Sequence, residues 1–182
     1  ETRTGAVIGC GLTLNATPDR ELLGLDDDEA SDVSTQLERW WGIYARSRDF
    51  SSSRDADFGE LMRRACHSED ESGDVLIVRR SIARPGALFS TCWQLIEGDR
   101  LSNPNYTMDT PTLAGGVEMD ADGAAVAYHV LDGHPGDVLP NHNTWSRIPA
   151  RDDKGNVVVI HLAKLDRPGQ VRGVPILAQA ID

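Results

Sequence analysis

Gly116-Val-Glu-Met-Asp-Ala-Asp-Gly-Ala-Ala-Val-Ala-Tyr-His-Val-Leu131 is the stretch on which the reading of this chain turns. Gly116-Val-Glu-Met119 and Ala125 to Leu131 are short extended runs on either side of Asp120-Ala-Asp-Gly123, where glycine supplies the positive φ of a hairpin turn. Asp120 and Asp122 beside Gly123 faintly resemble a calcium loop. The later acidic ligand at the required spacing is absent, so the turn reading prevails.

The extended character spreads outward from this hairpin. Upstream, Asp74-Val-Leu-Ile-Val-Arg79 and Thr91-Cys-Trp-Gln-Leu-Ile-Glu97 read as a strand pair joined by a loop at Arg84-Pro-Gly86. Downstream, Thr144 to Pro149 and Asn156 to Leu162 flank another turn at Asp153-Lys-Gly155. Before Gly73 the period becomes helical. Asp26-Asp-Asp-Glu29 places carboxylates where the unpaired N–H groups of a first helical turn favour them. Val33, Leu37, Trp40, Trp41 and Tyr44 then recur at spacings of three and four. Adjacent tryptophans in this periodicity, without a basic surround, predict core anchors rather than a base-stacking platform.

Arg46 to Asp55 is expected to be a polar connector. Asp57 and Glu60 have capping-box spacing, and Phe58, Leu61, Met62 and Ala65 form a second stripe. That stripe degrades at His67-Ser-Glu-Asp-Glu-Ser-Gly73 into an expected solvated end and turn. Ala6 to Leu14 reads as a strand or a short helix-to-strand passage, and Asn15 to Leu25 as a loop. Helices first and then a mainly antiparallel sheet or small barrel make the fold class α+β.

Composition narrows the chemistry. The 182 residues are 40% hydrophobic, enough for one ordinary core. Eighteen basic against 29 acidic side chains give a net charge of -11, which repels phosphate and argues against a nucleic-acid grip. No apolar run approaches the ~20 residues that span a bilayer, so no membrane partner is expected. Cys10, Cys66 and Cys92 show no short spacing and read as small buried residues. His129, His134, His142 and His161 gather in the β-rich half but form no recognisable ligand pair. No phosphate loop or nucleophile elbow is present, so no catalytic residue, metal or cofactor is assigned.

The end of the chain is the last informative stretch. Pro168-Gly169 predicts a turn, and Gly173-Val-Pro175 a second break that opens an apolar helix through Ile176, Leu177, Ala178, Ala180 and Ile181. A helix that stops at Asp182 soon after opening suggests a piece of a longer protein.

Four segments, in matching order, resemble the lambda family of tailed-phage portal proteins. They are Val7-Ile-Gly-Cys-Gly-Leu12, Gln94-Leu-Ile-Glu-Gly-Asp-Arg-Leu101, the hairpin from Gly116 through Val130, and His161 to Pro175 with Arg167-Pro-Gly-Gln170 and Arg172-Gly-Val-Pro175. Cys66-His-Ser-Glu-Asp-Glu-Ser72 departs from the family by being polar, which suggests either a shorter or more exposed second helix or one whose acidic residues face a positive surface of a neighbouring subunit.

The resemblance implies a non-enzymatic structural component of a dodecameric ring at one capsid vertex. Terminase, head-completion and capsid proteins would be partners, in the host cytoplasm during assembly and then in the virion. DNA would pass through the channel without specific binding by this segment. The chain, 1–182, would be a single wing-like domain: a lead-in (1–25), a helical part (26–72), a β-rich part (73–165), and a turn with the start of a stem helix (166–182). Arg167, Gly169, Gln170, Arg172 and Gly173 would brace that exit or touch a neighbouring subunit. Trp40, Trp41, Tyr44, Trp93 and Trp145 would anchor the core. The competing readings are a metal-dependent hydrolase built on the late histidines and a generic acidic protein-interaction domain.

Overall fold

A computed structural model describes residue 8, residues 12–137 and 144–176, and residue 178. The passage at 6–14 and the final apolar helix lie largely outside the described residues. The chain divides into two compact units, one formed by Glu1–Arg63 with Ile82–Cys92 and the other by Arg64–Ser81 with Trp93–Asp182.

The first unit is helical. Within the expected loop at 15–25 the chain forms a short helix, α1 (Arg20–Leu23), because Asp19 accepts from the Leu22 amide and Gly24 closes the other end in the left-handed region, φ 66°. Helix α2 (Asp27–Arg46) starts on a full capping box. The Asp26 carboxylate accepts from the Glu29 amide at 2.8 Å, and the Glu29 carboxylate accepts from the Asp26 amide at 3.0 Å. Asp57 and Glu60 repeat the reciprocal pair, at 2.9 and 3.2 Å, ahead of α3 (Phe58–Ser72).

Trp41 and Tyr44 of α2 meet Phe50, Phe58 and Phe89 in edge-on and tilted ring contacts with centroids 4.7 to 6.3 Å apart. Phe50 is buried at the centre, so the 46–55 connector supplies core as well as surface. Trp40 departs from its expected place. It is 53% exposed and touches only the edge of the cluster, at Phe89, 6.2 Å away. Neighbouring helical residues diverge by about 100°, so Trp40 and Trp41 cannot both point into one core.

Helix α3 also differs from expectation, because it stays helical through the polar stretch to Ser72. The segment carries no helix breaker before Gly73, His67 and Glu71 pair one turn apart at 3.5 Å, and Gly73 at φ 90° ends the helix by donating to the Glu69 carbonyl.

The second unit holds two open sheets, and no closed barrel forms among the described residues. One has the order β2-β1-β7, from β1 (Asp74–Ser81), β2 (Thr91–Glu97) and β7 (Val159–Ala163). The other has the order β3-β4-β5-β6, from β3 (Leu113–Ala114), β4 (Val117–Met119), β5 (Ala125–Leu131) and β6 (Trp145–Pro149). The hairpin at 116–131 forms the antiparallel β4–β5 pair. The 152–156 turn forms, but it carries the chain from one sheet to the other: β6 pairs with β5, and β7 pairs antiparallel with β1 in the register Leu76 to His161. Leu76, Val78 and Val159 from one sheet and Val117, Tyr128 and Val130 from the other share a single core with Ile96 and Leu101. Each such side chain contributes roughly 1.5–3 kcal/mol on burial.

The aromatic cluster predicts a contrast. Phe50→Ala should lower stability by about 3 kcal/mol and Trp40→Ala by under about 1 kcal/mol, read from urea unfolding followed by tryptophan fluorescence and by circular dichroism. Equal losses would mean that Trp40 is a core residue after all.

Candidate functional site

The polar centre of the second unit forms where β1 begins. Gly73 ends α3, and the next residue, Asp74, is fully buried although it carries a charge. A buried carboxylate needs donors on both oxygens. They come from a strap far along the chain. After β7 the backbone turns at Pro168-Gly169, where Gly169 has φ 76° and the Gln170 amide donates to the Arg167 carbonyl at 3.3 Å. The Gln170 side chain then holds the strap in shape. Its oxygen accepts from the Asp166 amide at 3.0 Å and its NH2 donates to the Arg172 carbonyl at 2.7 Å.

Arg172 is placed so that all five of its N–H donors are used. Nε bonds Asp74 Oδ2 in a short contact, and Nη2 bonds Asp74 Oδ1 at 2.9 Å, the two-pronged arrangement that a planar guanidinium makes with a carboxylate. Nη2 also donates to the Gly98 carbonyl at 2.6 Å. Nη1 donates to the carbonyls of Leu101 at 2.6 Å and Gly115 at 3.0 Å. His161 Nε2 on β7 lies 3.1 Å from Asp74 Oδ2, and the Gly173 amide approaches the same oxygen at 3.4 Å.

The fit leaves no room for side chains at the glycines. A Cβ on Gly173 would collide with the Gly73 carbonyl oxygen, and one on Gly98 with Asp74 Oδ1. Burial by itself would raise the Asp74 pKa. The hydrogen bonds from His161 and Arg172, with the Arg172 charge, outweigh it and hold the carboxyl at about 2, against an ordinary 3.8. A carboxylate this well supplied with donors is a poor proton acceptor for chemistry. The arrangement fastens chain segments together.

Of the residues that the sequence singled out, the strap brings Arg167, Gly169, Gln170, Arg172 and Gly173 together, with Arg167 contributing its carbonyl. Trp93 is partly buried on β2, and Trp145 donates Nε1 to Ser102 Oγ at 3.0 Å and packs edge-on to Tyr106. Asp74 and His161 were not picked out as members of this site. The available signal was a lone carboxylate opening an otherwise apolar strand, together with a histidine on another strand.

The other late histidines sit apart. His129 lies 3.0 Å from Glu118, which also takes two bonds from Arg147, at 2.8 and 2.9 Å. The Arg147 bonds, with His129, overcome burial and hold the Glu118 carboxyl at about 2. His134 lies 3.5 Å from Glu97, and His142 falls outside the described residues. Among the described residues no group of three or more His, Cys, Asp or Glu could hold a metal ion, and no helix is long and apolar enough to cross a membrane.

Comparison with known proteins adds an independent line. A family model described as phage portal protein, lambda family, matches residues 1–182. The chain is similar to the portal protein of Escherichia phage N15, 28% identical over 171 residues, covering 92% of this chain and 32% of that protein. It is likewise similar to portal protein B of Escherichia phage lambda, 27% identical over 179 residues, covering 97% of this chain and 33% of that protein. The chain thus spans about a third of the length of the curated relatives it matches.

The depressed Asp74 pKa fixes a sign. Because the folded value lies below the unfolded one, the carboxylate contributes stability above pH 3.8 and loses it as pH falls toward 2. The acid-induced loss assignable to this group should be about 2 kcal/mol, read as the difference between denaturation midpoints at pH 6 and pH 2.5, and Asp74→Asn should lack it. An identical acid dependence in Asp74→Asn would remove the assignment.

Proposed function

This chain belongs to the lambda family of phage portal proteins, structural components of the virion, and from that premise we propose that it is the wing of a dodecameric portal ring at one capsid vertex. In this reading the chain is not an enzyme. Its work is to supply α+β structure to a ring that serves DNA packaging, ejection and head–tail joining, with terminase, capsid and head-completion proteins as partners of the complete polypeptide. Assembly takes place in the host cytoplasm. The observation that carries the proposal is the family match along all 182 residues.

The geometry supports it. The most strongly perturbed buried charge, Asp74, is spent on internal bonds to Arg172 and His161 rather than turned toward a ligand. The net charge of -11 suits a surface past which DNA slides without being gripped. Arg172 is the brace of the proposal: its bonds to Asp74, Gly98, Leu101 and Gly115 set the direction in which the chain leaves the sheet after Gly173, and so the angle of whatever follows.

The mass of the complete polypeptide, by light scattering or negative-stain microscopy, tests the ring. A closed ring of about twelve copies is expected, and a monomer under assembly-permitting conditions would overturn the proposal. The brace has its own test. Arg172→Ala strands a buried carboxylate and should cost about 3 kcal/mol, with a matching drop in ring yield, whereas Arg172→Lys keeps a charge but not the fork and should fall between. Unchanged stability and ring yield in Arg172→Ala would end the brace role.

A further inference from the structure

The first unit exposes two apolar patches that its own described residues leave uncovered, at opposite ends of α2. Twenty helical residues separate those ends by about 30 Å. At the N-terminal end, α1 presents Leu22, 83% exposed, and Leu23, and an ion pair between Arg20 and Asp27 ties α1 to the start of α2. The surroundings are acidic, with four carboxylates from Asp26 to Glu29 against that single arginine. At the C-terminal end Trp40, Ile43 and Leu88 are exposed, the last by 73%, and Ile43 and Leu88 line a pocket together with Ser47, Asp49, Gly86 and Phe89. Here the surroundings are basic. Arg39, Arg46 and Arg48 are exposed, α2 carries no carboxylate after Glu38, and Asp49, which lines the pocket, is paired with Arg54 at 2.6 Å.

Contiguous apolar surface rimmed by charge marks a protein contact. Each patch has the wrong sign to meet its own kind. An acidic apolar knob and a basic apolar socket on one molecule instead match each other across two copies. A chain of net charge -11 repels its copies, so a contact between them needs local compensation of this kind. Because knob and socket are different surfaces, the contact is head-to-tail, the class that closes into rings.

We propose that neighbouring copies of this chain join through α2, with Leu22 and Leu23 and the carboxylates of one copy docked on the exposed Trp40, Ile43 and Leu88 and the guanidinia of the next. This rests on the portal reading above and names a surface through which its ring would assemble.

The test uses charge reversal in the complete polypeptide. Asp28→Lys with Asp32→Lys removes the acidic excess of the knob end and leaves the capping pair Asp26 and Glu29 intact, while Arg39→Glu with Arg46→Glu makes the socket end acidic. Each variant, checked for folding by circular dichroism, should lose at least tenfold in ring fraction by light scattering. Mixing the two variants should restore rings, since in an alternating ring the introduced lysines face the introduced glutamates at every second contact and the unmutated surfaces meet at the others. Rings at wild-type yield from both separate variants would overturn the proposed contact and leave the portal reading standing. A closed two-copy complex would overturn the head-to-tail geometry, because antiparallel α2 pairing closes at two. Failure of the unmutated polypeptide to form any ring would sink the portal reading and this contact together.

Discussion

The bond between Asp74 and Arg172 is the interaction on which the second unit depends. It joins the first residue of β1 to a strap 98 positions later, and the same guanidinium holds carbonyls from the turn after β2, from Leu101 and from the approach to β4. His161 adds β7. Every one of these segments belongs to, or leads directly into, one of the two sheets. Removing a buried charge from water is costly, and a lone ion pair often only breaks even against an apolar replacement. What this pair adds is specificity, because only one relative placement of five segments satisfies five donors at once.

The first unit is held by different means. Its interior is a cluster of rings centred on Phe50, bordered by the buried Ser51 hydroxyl, which donates to Asp55 at 2.8 Å, and its helices are set by local caps. Ring contacts tolerate small shifts that a saturated guanidinium does not. The glycines sharpen the difference. At Gly73, Gly98 and Gly173 the polar centre admits backbone only, so its geometry is fixed sterically as well as electrostatically.

Much of the architecture could be read from the sequence, because its signals are local. Capping boxes lie within four residues, and the hairpin at 120–123 is set by the φ that its glycine allows. The strands lie near the extended runs, although β7 starts only at Val159 and β1 continues through the polar residues to Ser81. What could not be read was long-range. Nothing local says that β7 pairs with β1 instead of β6, or that a histidine 87 positions away faces Asp74. The Arg172 strap is marked locally by its turn residues, but its acceptors lie on segments with no sequence relation to it. Two local signals mislead for identifiable reasons. The polarity of 66–72 suggests a solvated helix end and turn, yet polar residues form helices well when no glycine or proline intervenes, and Trp40 shares the periodicity of Trp41 although adjacent positions face apart.

The pairing of β1 with β7 has a consequence for how the protein is made. During synthesis Asp74 leaves the ribosome about 90 residues before its strand partner Ala163, and longer still before Arg172. Until then the open side of β1 waits as an unpaired apolar strand edge with a carboxylate at its head, a species prone to pairing with the wrong chain. The nascent chain therefore passes through an interval in which crowding by sister copies is dangerous. The time taken to elongate through 82–172 sets how long that edge stays open.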